Sequence, residues 1–219
     1  MEILKAVIIG IVQGITEWLP ISSTGHMILF ENLLSMDESE AFMEMFRVVI
    51  QFGSILAVLV LYFTKLNPFA RSKTDMEKKQ TWGLWLRVIV AVIPSAVLGL
   101  LLDNWFNSHF YNYVVVAIAL IVYGVAFIVI EKNRKGKPER ISDVDEIDYR
   151  TALLIGAFQV LALIPGTSRS GSTIIGAMLL GVSRTSAAEF SFFLAIPTML
   201  GASLLKIGKY VLDGNGALT

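Results

Sequence analysis

Residues 165–173 read Pro-Gly-Thr-Ser-Arg-Ser-Gly-Ser-Thr and lie between two apolar runs, residues 152–164 and 174–182. Arg169 is the one charged residue between positions 151 and 182. Inserting an arginine near the middle of a bilayer costs roughly 2.5–3.5 kcal/mol, so such a residue normally faces a cavity or a partner. Arg169 is therefore a candidate site residue.

The neighbours of Arg169 suit an anion. Gly166 and Gly171 allow the backbone to turn so that successive N–H groups converge on one point. A helix that begins near Ser172 would add the positive end of its dipole. Five hydroxyls complete a cradle for an oxyanion or phosphate, with the guanidinium as a bidentate clamp; they belong to Thr167, Ser168, Ser170, Ser172 and Thr173. The alternative is a polar hinge in which Arg169 extends to the membrane interface.

The composition is that of an integral membrane protein. Of 219 residues, 55% are hydrophobic and 16% charged, and the mean hydropathy is +0.67. Helix-length apolar runs without period-two alternation predict an all-α, polytopic membrane protein and exclude a transmembrane barrel. The formal net charge of zero provides no argument for a nucleic-acid partner. The absence of cysteine excludes disulfides and cysteine-ligated zinc.

Hydropathy predicts four membrane spans, at residues 48–64, 88–102, 114–130 and 190–205. Residues 2–34 hold two apolar pieces that are each too short to span a bilayer, so they predict a broken or re-entrant helix-loop-helix. The predicted loops at 65–87 and 131–150 each carry six lysines and arginines, whereas the aromatic loop at 103–113 has none. By the positive-inside rule the two basic loops lie inside, and loop 103–113 and residues 31–47 lie outside.

The chain also contains an internal repeat. A shift of 145 positions aligns residues 19–23 with 164–168 and residues 49–63 with 194–208; one further residue of slip aligns Gln13 with Gln159. A constant offset across separate blocks indicates duplication, so residues 1–219 are predicted to form a single membrane domain with repeats at about 1–130 and 151–219. Counterparts of the second and third spans would fall near 233–247 and 259–275, so the second repeat is expected to be incomplete.

The orientation of the two repeats depends on the hairpins. If both short helix pairs are re-entrant, three spans separate equivalent positions and the repeats are inverted, with the hairpin tips meeting near the midplane. If both pairs cross the membrane, the repeats are parallel and Lys206 and Lys209 lie inside. The inverted arrangement is our prediction.

A second polar cluster lies in the first hairpin. Glu17 and His26 flank the hydroxyls of Ser22, Ser23 and Thr24 within apolar sequence. A carboxylate can hold a divalent cation or orient an imidazole, and a neutral imidazole can act as proton shuttle or nucleophile. Together with Arg169 these groups provide what phosphoryl transfer requires, namely positioning and stabilisation of charge on phosphate oxygens.

Residues 13–26, Gln-Gly-Ile-Thr-Glu-Trp-Leu-Pro-Ile-Ser-Ser-Thr-Gly-His, and residues 165–173 resemble the two signature motifs of the undecaprenyl-pyrophosphate phosphatase family of the bacitracin-resistance type. The resemblance implies a multi-pass enzyme of the bacterial plasma membrane. It implies that undecaprenyl pyrophosphate is hydrolysed to undecaprenyl phosphate, recycling the lipid carrier of cell-wall synthesis. A divalent cation, magnesium or calcium, is the implied cofactor.

The resemblance also implies roles for individual residues. Glu17 is the essential carboxylate and the metal ligand, Ser23 and His26 are the nucleophile and its assistant in an order left open, and Arg169 binds phosphate. Water is a further candidate for the nucleophile. The expected substrate-binding residues are Gln13, Ser22, Thr24, Ser168, Ser170 and Thr173. The family's motif allows Glu or Gln at position 13, and Gln13 leaves one carboxylate fewer for a metal.

Two other functions fit parts of the sequence. A transporter or flippase for a polyprenyl phosphate would use inverted repeats and the same phosphate cradle. A lipid phosphatase of the phosphatidic acid phosphatase superfamily would need a histidine soon after Arg169, and residues 170–219 contain none. The sequence leaves the oligomeric state open, with a homodimer as one option.

The polyprenyl tail should stay in the membrane, because each methylene left in hydrocarbon is worth about 0.8 kcal/mol. The pyrophosphate would then enter sideways between helices, from the outer side by the charge count. Small residues suit such a path or close helix packing; the candidates are Gly176, Ala177, Gly181, Gly201 and Ala202.

Overall fold

A computed structural model describes residues 2–36, 38–110 and 113–212, without the side chains of residues 32, 103, 104, 107–109 and 113. These residues form nine α-helices, and the β pairing among them is a single isolated bridge between Ile141 and Val182. The helices are α1 (Glu2–Glu17), α2 (Ser23–Leu34), α3 (Glu40–Leu61), α4 (Phe63–Leu66), α5 (Asp75–Phe110), α6 (Tyr113–Arg134), α7 (Tyr149–Gln159), α8 (Arg169–Leu179) and α9 (Arg184–Leu212). Short 3₁₀ helices occur at Val144–Glu146 and Val160–Leu163.

Four helices are long and apolar enough to cross a membrane, at Glu40–Leu61, Asp75–Leu102, Val114–Arg134 and Arg184–Leu212. They contain the four predicted spans, and the prediction of an all-α, multi-pass protein is confirmed. Of these four, helix α6 packs least against the rest of the molecule, and many of its apolar side chains are exposed, among them Ile118, Ile121 and Ile128. The core contains Ile55 of α3 and Phe190, Phe193 and Leu194 of α9, which are almost fully buried, together with side chains of α5, α7 and α8.

The prediction of loops at 65–87 and 103–113 was partly wrong, because α5 runs unbroken from Asp75 to Phe110. Its start is set by Thr74 and Glu77, each of which accepts a hydrogen bond from the backbone N–H of the other. This reciprocal cap satisfies donors that the first helical turn leaves free. Residues 111 and 112 of the second predicted loop lie outside the described residues.

The pairs α1–α2 and α7–α8 form two helical hairpins, with loops at 18–22 and 164–168. In both, a serine caps the second helix: Ser22 Oγ accepts from the Gly25 N–H at 3.4 Å, and Ser168 Oγ from the Gly171 N–H at 3.1 Å. Capping by a serine oxygen satisfies a free N–H of the first turn. Because Ser168 is the cap, α8 begins at Arg169, three residues before the predicted start at Ser172.

The two ends of each hairpin lie close together. In the first hairpin Lys5 Nζ donates to the Ser35 carbonyl at 2.9 Å. In the second, the Arg140 N–H donates to the Gly181 carbonyl at 2.9 Å and the Ser183 N–H to the Ile141 carbonyl at 2.8 Å. Each hairpin tip is therefore the part of the hairpin furthest from both its ends.

Helices α3 and α9 pack in antiparallel orientation. Glu44, near the start of α3, pairs with Lys206, near the end of α9. At the opposite end Lys65, in α4 directly after α3, pairs with Glu189 at 2.8 Å, and the rings of Tyr62 and Phe193 lie 5.1 Å apart. These contacts establish which ends of the two helices lie together.

Helix α7 is held at its start by an aspartate cap. Asp148 accepts a hydrogen bond from the Thr151 N–H at 2.7 Å. Hydrogen bonds from the Thr151 hydroxyl and N–H hold the pKa of Asp148 below its ordinary value. The ionised carboxylate also suits the positive end of the helix dipole.

Candidate active site

The tips of the two hairpins meet through an ion pair. Glu17 is the last residue of α1, Arg169 is the first residue of α8, and 152 residues separate them in the chain. Arg169 Nη2 donates to Glu17 Oε1 at 2.9 Å, and the two side chains are 12% and 9% exposed. A pair this buried is favourable only when further hydrogen bonds satisfy its remaining polar atoms, so the other contacts of both residues matter.

Arg169 has one further contact and one free donor. Its Nη1 donates to the backbone carbonyl of Ser191, on α9, at 3.1 Å. Its Nε is buried and has no hydrogen-bond partner among the described residues. A buried N–H without an acceptor is costly, and it lies where the α8 dipole also favours an anion. The Nε of Arg169 is therefore a buried donor that is available to an acceptor on a ligand.

Glu17 is held by two side chains of its own hairpin. Ser23 Oγ donates to Glu17 Oε2 at 2.5 Å, and Gln13 Nε2 donates to the same oxygen at 3.3 Å. Gln13 in turn accepts from Ser54 Oγ at 2.8 Å. A hydroxyl bonded to a carboxylate is the arrangement of a nucleophile with its general base. Gln13 is buried and does not line the cavity, so it orients Glu17 from behind.

His26 is placed differently from the other predicted residues. Its Nδ1 lies 2.9 Å from the backbone carbonyl of Ser22, on the preceding helical turn. Because a carbonyl only accepts, Nδ1 is the donor in this contact. His26 is half-buried and is not among the residues that line the cavity at Glu17 and Arg169. Glu17 and Arg169 thus line one cavity. His26, which was expected to join them there, is not among the lining residues.

A cavity of about 640 Å³ contains the hairpin tips. The predicted site residues that line it are Glu17, Ser22, Ser23, Thr24, Ser168, Arg169 and Ser170. Apolar residues of α5 and α9 form much of the remaining wall, and Lys206 and Lys209 lie at one end. A mostly apolar cavity with a few convergent polar groups is typical of a ligand site.

Thr173, which the resemblance implies to bind substrate, is placed differently from Ser168 and Ser170. It is fully buried and does not line the cavity. Its hydroxyl lies 2.7 Å from Ser191 Oγ and donates to a backbone carbonyl of its own helix. Thr173 therefore joins α8 to α9, because its position one turn after Arg169 faces the neighbouring helix.

Comparison with known proteins identifies the family of this chain. The model of the family described as bacitracin resistance protein BacA matches residues 6–218. The chain belongs to this family. It is 59% identical over 211 residues to an undecaprenyl-diphosphatase of Enterococcus faecalis, covering 96% of this chain and 76% of that protein. It is 58% identical over 214 residues to an undecaprenyl-diphosphatase of Limosilactobacillus fermentum, covering 98% and 78%. Membership of the BacA family confirms the resemblance inferred from the two motifs.

A divalent cation has few protein ligands at this site. Among the described residues there is no group of three or more His, Cys, Asp or Glu side chains that could hold a metal. Both oxygens of Glu17 already accept hydrogen bonds. These residues do not form a metal site built from protein alone. Magnesium, however, often binds through one or two carboxylates together with substrate phosphates, and Glu17 could be that carboxylate.

Several polar residues of the site were missed by the motif analysis. Ser54 and Ser191 lie on the long helices α3 and α9, outside both motifs. Gln159, known from the sequence as the repeat partner of Gln13, lines the cavity; its Nε2 donates to Ser95 Oγ at 2.6 Å, and its buried Oε1 has no partner within the described structure. The repeat was the one signal that could have identified Gln159.

The small residues considered for lateral access fall into three groups. A Cβ on Gly176 would lie 2.4 Å from the ring of Phe158, and Ala177 is fully buried, so both pack helices together. Gly181 adopts a φ of +93° in the turn after α8, a conformation that favours glycine. Gly201 and Ala202 line the cavity and remain candidates for a lipid path.

Proposed function

We propose that this chain hydrolyses undecaprenyl pyrophosphate to undecaprenyl phosphate and inorganic phosphate, and so recycles the lipid carrier of cell-wall synthesis. The observation that supports the chemistry best is the contact between Glu17 and Arg169 at the hairpin tips, with the Ser23 hydroxyl on the same carboxylate. Membership of the BacA family and the name of its relatives, undecaprenyl-diphosphatase, support the substrate.

Substrate binding should begin with a change of partner at Arg169. In the free protein its charge is balanced by Glu17. A pyrophosphate offers several anionic oxygens, and a guanidinium can bind two of them at once. When a phosphate group binds the Arg169 guanidinium, with the free Nε as one donor, the ion pair with Glu17 breaks. The Glu17 carboxylate can then accept a proton. Binding and activation would then be coupled through one side chain.

The chemical step that fits the geometry uses Ser23. Its oxygen attacks the terminal phosphorus while its proton passes to Glu17, 2.5 Å away. An O–P bond forms to Ser23, the bridging P–O bond breaks, and undecaprenyl phosphate leaves. Water then attacks the phosphoserine and releases inorganic phosphate, restoring the Ser23 hydroxyl. Arg169 and the start of α8 stabilise the charge on the transferred phosphoryl oxygens.

A divalent cation would arrive with the pyrophosphate, and Glu17 would be its single protein carboxylate. When bound, such a cation neutralises charge on the phosphate oxygens. This assignment is a proposal. It is tested by equilibrium binding of Mg²⁺ to the protein with and without a non-hydrolysable pyrophosphate analogue. The proposal requires that Mg²⁺ bind in the presence of the analogue and not in its absence.

The two repeats are proposed to be inverted, each with a re-entrant hairpin. The antiparallel contacts of α3 and α9, which are equivalent in the repeat, support inversion. The adjacent ends of each hairpin support re-entry, since a pair that crossed the bilayer would have its ends on opposite faces. In this arrangement Lys206 lies outside, where the positive-inside rule disfavours lysine. Its positive charge is, however, neutralised by the ion pair with Glu44.

We also propose that the site opens to the outer face of the plasma membrane. Lys206 and Lys209 line one end of the cavity, next to Glu44 at the start of α3. The basic loops lie at the other end of α3, beyond Lys65. The two lysines would attract the pyrophosphate while the tail remains in lipid. Double replacement by glutamine should raise KM and weaken its salt dependence, because long-range attraction is screened by salt.

The function is tested with purified protein in detergent, where transport is impossible. Release of inorganic phosphate from undecaprenyl pyrophosphate supports the phosphatase. Binding of the lipid without release, combined with its movement between leaflets of sealed vesicles, would favour a flippase instead. Vesicles with oriented protein and substrate in one leaflet would then test the side of the reaction.

A further inference from the structure

A second cavity lies at the end of the molecule opposite Lys206. Its volume is about 610 Å³, and it is formed by the end of α6, the loop that follows, and the junction of α8 with α9. None of its lining residues lines the active-site cavity. It lies on the face of the basic loops, so neither the proposed reaction nor its substrate path uses it.

This cavity concentrates positive charge. Five basic side chains line it against two acidic ones, a local net charge of +3 in a chain whose formal charge is zero. The basic residues are Lys132, Arg134, Lys135, Lys137 and Arg184. Arg184 pairs with Glu131 at 2.8 Å. The other four have no carboxylate within ion-pair distance in the described part of the chain. By contrast, Lys65 and Arg87 on the same face each have one.

The wall of the cavity continues into an apolar surface. Met178 and Val182 are buried at its base, and Ile128 on α6 is 68% exposed. Ile121, Val125 and Ile128 of α6 are each more than half exposed, so this helix presents hydrocarbon-facing side chains directly beside the basic cluster. A ligand that fits both parts carries an anionic group joined to an apolar chain.

We propose that this cavity binds an anionic phospholipid of the leaflet on the basic-loop face. Basic pockets between membrane helices on this face bind anionic headgroups, and each lysine or arginine near the surface adds to the attraction. The phosphate would lie between Lys132 and Lys135, with acyl chains along α6 past Ile128. Free phosphate would use the charges but not the apolar wall. This inference does not depend on the proposed hydrolysis.

The test measures bound lipid by native mass spectrometry of the purified chain with added phosphatidylglycerol or phosphatidylcholine. The pocket variant is Lys132→Gln/Lys135→Gln, and the control is Arg71→Gln/Lys79→Gln, which removes the same charge from exposed positions in the other basic region. We expect the pocket variant to bind phosphatidylglycerol about ten-fold less tightly and the control to bind within about two-fold of wild type. Phosphatidylcholine binding should be equal in all three.

Equal losses in both variants would overturn the proposal, because they would show general attraction to a basic face. So would unchanged phosphatidylglycerol binding in the pocket variant. Preferential binding of polyprenyl phosphate over phosphatidylglycerol, or of inorganic phosphate alone, would also refute it. Both replaced lysines are exposed, and thermal unfolding in lipid-free detergent verifies the fold. Phosphate release in detergent should be unchanged in both variants. A failure of the lipid-binding proposal can therefore be distinguished from a failure of the phosphatase proposal.

Discussion

Replacing Arg169 by lysine keeps the charge at the hairpin tips but removes the geometry. Arginine reaches two acceptors at once, Ser191 O at 3.1 Å and Glu17 Oε1 at 2.9 Å, and keeps Nε free. A single ammonium cannot bind two phosphate oxygens in parallel while also contacting Ser191. The substitution therefore isolates the contribution of the planar fork.

The expected size of the effect follows from the contacts that are lost. A hydrogen bond to a charged group is worth about 1.5–3 kcal/mol, and Arg169→Lys loses at least one such bond to the phosphate. This corresponds to a fall in kcat/KM of about 10- to 150-fold. The assay is the release of inorganic phosphate from undecaprenyl pyrophosphate in detergent, over a range of substrate concentrations that separates kcat from KM.

A matched control and a stability measurement complete the experiment. Arg71→Lys, in an exposed loop position, should leave kcat/KM within about two-fold of wild type, because the substitution keeps the charge and exposed charges contribute little. Thermal unfolding must show that Arg169→Lys remains folded. Activity of folded Arg169→Lys within about three-fold of wild type would refute the bidentate clamp, since charge alone would then account for binding.

Three further predictions concern the nucleophile, helix packing and a helix cap. Ser23→Ala should lower kcat by about 10²–10⁴-fold or more. His26→Ala should lower kcat by less than about ten-fold, because His26 does not line the cavity. If phosphate-release kinetics showed the larger loss for His26→Ala, the nucleophile would be assigned to His26 instead. Gly156→Ala should lower the free energy of unfolding by about 1–3 kcal/mol, because its Cβ would lie 2.0 Å from a backbone carbonyl of α5. Gly53→Ala, with open space at its Cβ, should be neutral or stabilising; equal losses in thermal unfolding would contradict the packing argument. Asp148 stabilises α7 when ionised, and its pKa is lowered in the folded state, so its contribution is complete above the ordinary carboxyl pKa and disappears as pH falls through the lowered one. Asp148→Ala should therefore destabilise at about pH 7 but not at about pH 2, and an equal effect at both pH values in unfolding measurements would exclude this cap.

The class of the protein and the location of its polar segments follow from residue type and spacing alone. Apolar runs of membrane length predict helices regardless of what they pack against, because an unpaired backbone is prohibitively costly in lipid. An arginine isolated between two such runs marks a site for the same energetic reason. The family resemblance was carried by short motifs, in which residue type and spacing are local properties.

Which of these residues meet depends on how the hairpins and the long helices pack. The contact between Glu17 and Arg169 depends on two hairpins that approach each other, and no local pattern encodes that approach. Thr173 faces Ser191 and His26 contacts a backbone carbonyl, although both residues belong to the two motifs. The orientation of each helix about its axis accounts for this difference. Partners such as Ser54 and Ser191 lie on distant helices in unremarkable sequence. Side-chain direction is set by how whole helices pack, which is why the motif identified the segment and packing selected the residues within it.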